Sequence, residues 1–269
     1  MPTPAAQASL PSGGYVALGD SYASGPFIPN QVEVGCVRSD HNYPSLVAAA
    51  LRFSNFRDTS CSGATTADMT QTQQGVFGIP EPPQFDALSA DAVLVTVGIG
   101  GNDIGFISIV TTCAQESLTN PFGSPCKDAY TSGGTDQLAA AIAATAPSIA
   151  AVLKGIHQRA PQARVLLVGY PVILPATGNG CWPRVPFAYG DVPYLRGVEL
   201  KLNRMLAAQA AANGAIYVNT YSSSIGHDVC QSTGTKWVEG LVPTSPAAPF
   251  HPNALGMKNS AAAVVDHVG

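Results

Sequence analysis

Three polar residues stand in short breaks that lie far apart in the chain. They are Ser21 in Gly19-Asp20-Ser21-Tyr22, Asn102 in Gly100-Gly101-Asn102-Asp103, and His251 in Phe250-His251-Pro252-Asn253. A serine hydroxyl is a poor nucleophile until a neighbouring base takes its proton, and His251 is the candidate base. Acyl transfer also needs donors aimed at the oxyanion that develops on the attacked carbonyl. The backbone N–H of Ser21, the side-chain amide of Asn102 and the N–H of Gly63, in Cys61-Ser62-Gly63-Ala64-Thr65, would supply three. Each residue alone is ordinary, because a serine after a strand is usually a cap. The set together has a mechanism. The G-x-S-x-G elbow of α/β-hydrolases does not occur, so that machinery is excluded.

Such residues act together only if a framework brings them to one edge. Tyr15 to Leu18, Ala92 to Val97, Val165 to Val168 and Ala215 to Val218 read as strands, the second being the β-branched run of a strand buried on both faces. A shorter β-like segment, Phe56 to Ser60, precedes Gly63. Between these runs lie helical patterns: one opening at Pro44, one over Thr135 to Arg159 with a break or kink expected at Pro147, and one over Pro193 to Ala212. In the last, Leu195, Val198, Leu202 and Met205 share a face, and Asn213-Gly214 stops the helix. Strands alternating with helices imply βαβ units and a parallel sheet, and ligands of such sheets bind beyond the carboxyl ends of the strands. Ser21 and Asn102 both come after strands. Residues 106–134 and 171–192 show no clear periodicity and are expected to be loops over the site. With no linker or composition shift, residues 15–269 read as one domain and residues 1–14 as a tail.

Composition removes whole classes of function. Only 11% of the 269 residues are charged, net charge is −4, and the 13 Lys and Arg are scattered, so no basic stripe faces a phosphate backbone. The apolar runs are strand-length, short of the roughly 20 residues a membrane span needs. Six cysteines, at 36, 61, 113, 126, 181 and 230, include no C-x-x-C pair, and the histidines His41, His157, His227 and His267 show no zinc spacing. No metal or cofactor is expected. An even cysteine count with few charges points to three disulfides and an oxidising compartment, although sequence alone leaves 15 pairings open. The Pro-, Ala- and Ser-rich tail resembles what remains after signal-peptide cleavage, so an extracellular location is expected.

The four blocks G-D-S-Y at 19–22, Gly63, G-G-N-D at 100–103 and H-P-N at 251–253 resemble those of the SGNH (GDSL) hydrolases, in the same order and over nearly the whole chain. The similarity is closest to the secreted bacterial branch of lipases, esterases and phospholipases with three disulfides. That resemblance implies a flavodoxin-like three-layer α/β/α sandwich. It also implies Ser21 as nucleophile, His251 as base, and an oxyanion hole of Ser21, Gly63 and Asn102. The disulfides it implies are Cys36–Cys61, Cys113–Cys126 and Cys181–Cys230.

One position departs from the pattern. Much of the family has Asp three residues before the histidine, where this chain has Ala248. Some members of the branch use a backbone carbonyl, so the Ala248 carbonyl is expected to orient His251 as part of a Ser–His dyad. A triad completed by Asp228 or Asp191 is the rival. Asp20 and Asp103 are read as turn-holding residues, and Phe27, Ile28, Phe106, Trp182 and Phe250 as candidate rim residues. The expected protein is a monomeric, secreted serine hydrolase of small-molecule or lipid esters. Its alternatives are a carbohydrate deacetylase and a catalytically weakened binding module.

Overall fold

In the computed structural model, which describes residues 13–268, five strands pair in parallel into one sheet. They are β1 (Gly14–Gly19), β2 (Phe56–Asp58), β3 (Ala92–Gly98), β4 (Arg164–Val168) and β5 (Ile216–Val218), ordered β2-β1-β3-β4-β5. This is the flavodoxin-like order, in which chain connections leave β1 and β3 in opposite directions and open a crevice between their ends. Most of the expected tail, residues 1–12, lies outside the described residues, while Gly14 already belongs to β1.

Helices cover both faces of the sheet. The pleat sends Val16, Leu18, Val95, Val97, Val165 and Leu167 to one side, against α5 (Gln137–Arg159) and α6 (Asp191–Ala212). It sends Tyr15, Ala17, Leu94, Leu166 and Val168 to the other, against α2 (Tyr43–Ala50) and α8 (Ala254–Asp266). Short helices α1 (Ser21–Ser24) and α7 (Thr220–Ser223) come directly after β1 and β5. At 23 residues α5 is long and apolar enough to resemble a membrane span, but Ile149, Val152, Leu153 and Ile156 are buried in the core.

Three expectations are corrected. Residues 106–134 are not a loop: they hold α3 (Phe106–Ser117) and α4 (Pro125–Thr131). The α3 sequence is rich in β-branched residues, and it buries only Ile109, Cys113 and Ser117, so its helical period is hard to see. Pro147 does not break α5. It lies on the exposed side, where the Ala143 carbonyl that loses its partner is left beside water. Helix α6 begins at Asp191 rather than Pro193.

The cysteines pair as Cys36–Cys61, Cys113–Cys126 and Cys181–Cys230, closing separations of 25, 13 and 49 residues. The first anchors the segment leading to Gly63, the second joins α3 to α4, and the third ties residues 171–190 to the region before His251.

Strands β1 and β3 run in register from Tyr15–Leu94 to Gly19–Gly98, and the glycine pair permits the tightest approach. A methyl on Gly19, whose φ is +146°, would lie 2.6 Å from the Gly98 carbonyl oxygen and 2.9 Å from Ala23 Cβ. Overpacking of this kind costs about 1–3 kcal/mol. Gly19→Ala is therefore expected to lower unfolding free energy by at least that much in urea titrations; an unchanged midpoint would mean that the strand ends part freely.

Candidate active site

Local geometry at the end of β1 fixes how Ser21 is presented. Asp20 caps α1, its Oδ1 accepting the Tyr22 N–H at 2.9 Å, and Ser21 becomes the first helical residue. Among the described residues no acceptor takes the N–H of Ser21, as expected at the start of a helix. Gln84 clasps Gly19, the last residue of β1, from both sides, accepting its N–H at 2.7 Å and donating to its carbonyl at 2.9 Å.

The Asn102 segment is latched to both neighbours. Its Nδ2 donates to the Ala64 carbonyl at 2.9 Å, leaving one amide hydrogen for another acceptor. Asp103 accepts the Thr66 N–H at 3.1 Å and the Thr66 hydroxyl at 2.5 Å. Asp103 therefore holds the 63–66 turn rather than its own. Gly63 sits at φ +83°, with only Gln73 Nε2, at 3.7 Å, near its Cβ position, and among the described residues its N–H has no acceptor. On the other side, the Gly101 N–H donates to Tyr170 Oη at 2.7 Å, and Tyr170 donates on to Asp20 Oδ2 at 2.5 Å. Burial raises the Asp20 carboxyl to about 7 despite the Tyr170 hydrogen bond.

His251 arrives from the far end of the chain, and its Nε2 lies 2.7 Å from Ser21 Oγ. Its Nδ1 faces the Pro249 carbonyl at 2.7 Å, which can only accept, so Nδ1 carries the proton and Nε2 the lone pair. This corrects the expectation for Ala248. The Ala248 carbonyl accepts the backbone N–H of His251 at 3.1 Å, closing a turn in which Phe250 takes a left-handed φ of +60°. That turn brings the Pro249 carbonyl to the ring. Neither rival acid reaches it. Asp191 accepts the Cys126 and Lys127 N–H groups at 3.1 and 2.8 Å, and Asp228 accepts the Cys230 N–H at 2.9 Å. The imidazole is buried between Tyr22, at 5.0 Å, and Phe106, at 6.0 Å between ring centroids. Burial lowers its pKa to about 4, against the raising effect of the Pro249 carbonyl.

Sequence reasoning missed the support of this loop. Tyr22 Oη donates to the Phe250 carbonyl at 2.6 Å, and the Ala248 N–H donates to Pro26 O at 3.0 Å. Lys236 and Glu239 form a buried ion pair at 2.7 Å, and Glu239 also accepts from Asn253 Nδ2 at 2.8 Å and the Thr244 N–H at 2.8 Å. Burial opposes its ionisation, but these partners outweigh that and hold the carboxyl below its usual range. Only the i, i+3 spacing of Lys236 and Glu239 hinted at the pair.

Beside Ser21 opens a mostly apolar cavity of about 80 Å³, lined by residues that include Tyr22, Phe106, Ile109, Phe187, Leu195 and Phe250. Of the five candidate rim residues only Phe106 and Phe250 line it; Ile28 is buried elsewhere in the core and Phe27 is exposed. His227 stacks on Trp237, and His157 bonds the Asn213 carbonyl. Among the described residues no group of three or more His, Cys, Asp or Glu could hold a metal ion.

A serine hydroxyl on a neutral imidazole, with free N–H groups nearby, is the equipment for acyl transfer. The model of the GDSL-like lipase/acylhydrolase family matches residues 17–258. The chain belongs to this family. It is accordingly a carboxylic ester hydrolase. It is 41% identical over 267 residues to Lipase 2 of Streptomyces coelicolor, covering 97% of this chain and 88% of that one. The crystal structure of phospholipase A1 from Streptomyces albidoflavus superposes with a TM-score of 0.76 at 29% identity, over 96% of this chain and all of that one. That of the extracellular lipase from Streptomyces rimosus gives 0.75 at 27%, with the same coverage.

With both rival acids engaged elsewhere, Asp191→Asn and Asp228→Asn should each keep kcat within a few-fold of wild type. A true triad loses about 10⁴ when its acid becomes an amide; a drop of that size in either variant, measured at saturating ester, would reinstate an acid.

Proposed function

We propose that the protein is a secreted serine esterase or lipase that transfers the acyl group of its substrate to Ser21 and then to water. Ser21 Oγ attacks the ester carbonyl while its proton passes to His251 Nε2. The negative charge on the carbonyl oxygen is met by the N–H groups of Ser21 and Gly63 and the remaining amide hydrogen of Asn102. His251 returns the proton to the departing alcohol, leaving an acyl-serine, and water repeats the sequence to free the acid. The 2.7 Å contact between Ser21 and His251, beside an apolar cavity, carries this reading.

The cavity favours acyl chains over the polar rim that a sugar deacetylase needs, and an intact Ser–His pair counts against a binding module. Secretion is supported by three disulfides and by the likeness to an extracellular lipase. The direct experiment is hydrolysis of p-nitrophenyl esters together with a serine-directed phosphonate. Stoichiometric labelling of Ser21 with loss of activity, and an inactive but folded Ser21→Ala variant, are expected. Activity of Ser21→Ala within tenfold of wild type would reject the mechanism.

The protonation of His251 gives a second test. Only its neutral form accepts the Ser21 proton, so activity is retained above its pKa and lost below it. With that pKa lowered to about 4, kcat/KM should be level from pH 7 to pH 5 and decline as pH falls through about 4. An acid limb at or above about 6.5, the unperturbed value, would mean that the imidazole is solvated or faces an anion.

A further inference from the structure

The side chains of Asp20, Ser21, Tyr22, Asn102 and Tyr170 all face the cavity, and each is already bonded to a named partner. Glu199 is different. It enters the same cavity from α6, among Ile173, Leu174, Leu195, Val198 and Leu202. Its carboxyl receives one backbone N–H, that of Ile173, at 3.2 and 3.4 Å from its two oxygens. A carboxyl group can accept about four hydrogen bonds, and in its neutral form it also donates one. Among the described residues no Lys or Arg pairs with it, and its one hydrogen-bonding partner is the Ile173 backbone. Burial among these apolar side chains, with no cation beside it, pushes the carboxyl well above the usual carboxylate range, toward the neutral form that can donate.

An idle donor in an apolar cavity is costly unless something that enters the cavity uses it. If the protein hydrolyses esters, as proposed, the acyl chain is what enters, and the assignment of Glu199 rests on that reading. We propose that Glu199 is a specificity-determining residue of the acyl site, donating a hydrogen bond to an oxygen carried within the substrate's acyl chain. The enzyme then favours acyl groups interrupted by an ether or ketone oxygen over plain hydrocarbon chains of equal length. A hydrocarbon chain leaves the acid unpaired, whereas an acceptor oxygen at the right depth satisfies it. Sites built to bond a substrate's polar group discriminate against analogues that lack it for this reason.

The test compares p-nitrophenyl hexanoate with its 4-oxa and 5-oxa analogues. Each kcat/KM is divided by that ester's rate of alkaline hydrolysis, which removes intrinsic reactivity. In the wild type one oxa-ester should be favoured about five- to tenfold, the worth of one ordinary hydrogen bond. Glu199→Leu should abolish the preference and raise kcat/KM for hexanoate, and Glu199→Gln, which keeps a donor, should retain most of it. A wild-type ratio of one or less for both analogues overturns the proposal, whether or not any variant folds. So does a preference that survives Glu199→Leu, or a Glu199→Leu loss shared equally by all three esters, which would mean that Glu199 only holds the Ile173 backbone. If none of the esters is hydrolysed, the ester-hydrolase reading fails, and this proposal with it; if hexanoate is hydrolysed without discrimination, only the assignment of Glu199 fails.

Discussion

The hydrogen bond from His251 Nδ1–H to the Pro249 carbonyl decides what the rest of the site can do. It fixes the tautomer, which puts the lone pair on the nitrogen that faces Ser21. Because the acceptor is neutral, it adds orientation without adding charge. A neighbouring carboxylate would raise the histidine pKa; here burial outweighs the raising effect of the Pro249 carbonyl and lowers it. Among the described residues no carboxylate bonds the ring, so an imidazolium formed there would have no anion as partner. Its stabilisation must come from the Pro249 carbonyl and from transition-state charge held by the N–H donors, so the mechanism leans on the oxyanion side of the site.

That bond exists only because the loop carrying it is over-determined. A non-glycine residue at positive φ, here Phe250, persists when its surroundings impose it. Tyr22, from the helix that carries Ser21, holds the Phe250 carbonyl, and Glu239 exchanges backbone bonds with Phe250 and His251. The buried Lys236–Glu239 pair stands behind that exchange. Buried ion pairs are poor sources of net stability but strict about geometry, and breaking one leaves an uncompensated charge. The same logic runs through Asp20, Tyr170 and Gly101, which tie the ends of β1 and β3 across the crevice.

How much was legible in the sequence depends on how local each signal is. Strands β1 and β3 announce themselves because two-sided burial demands unbroken apolar runs, and Ser21 and Asn102 stand just beyond their carboxyl ends. Helix α3 is illegible because its buried residues are a sparse Ile109, Cys113 and Ser117 set in an Ile- and Thr-rich segment. The Pro249 carbonyl escapes for a different reason. Whether the second or the third residue before a histidine meets its ring depends on the φ of Phe250, which no side-chain type encodes. Gln84, Tyr170 and Glu239 act through contacts 65, 69 and 14 residues away, and apart from the i, i+3 spacing of Glu239 from Lys236 nothing nearby in sequence marks them.

The loops, more than the sheet, need explaining. Of the blocks around the cavity, only the Ser21 block is fixed directly by a strand end and a helix cap. The Gly63 turn hangs from a three-residue edge strand, α3 is joined to Asn102 through a Gly105 in left-handed conformation, and His251 closes a long irregular stretch. Each of these is attached near a disulfide: Cys36–Cys61 before Gly63, Cys113–Cys126 on α3, and Cys181–Cys230 ahead of Lys236. With 11% charged residues the chain has few surface ion pairs to hold such loops, and exposed pairs would contribute little in any case. Cross-links restrict the unfolded chain whatever the solvent, and they leave the cavity walls free to be apolar. An apolar cavity on long loops and a sparsely charged surface are thus compatible in one chain because covalent bonds do the holding that charges do elsewhere.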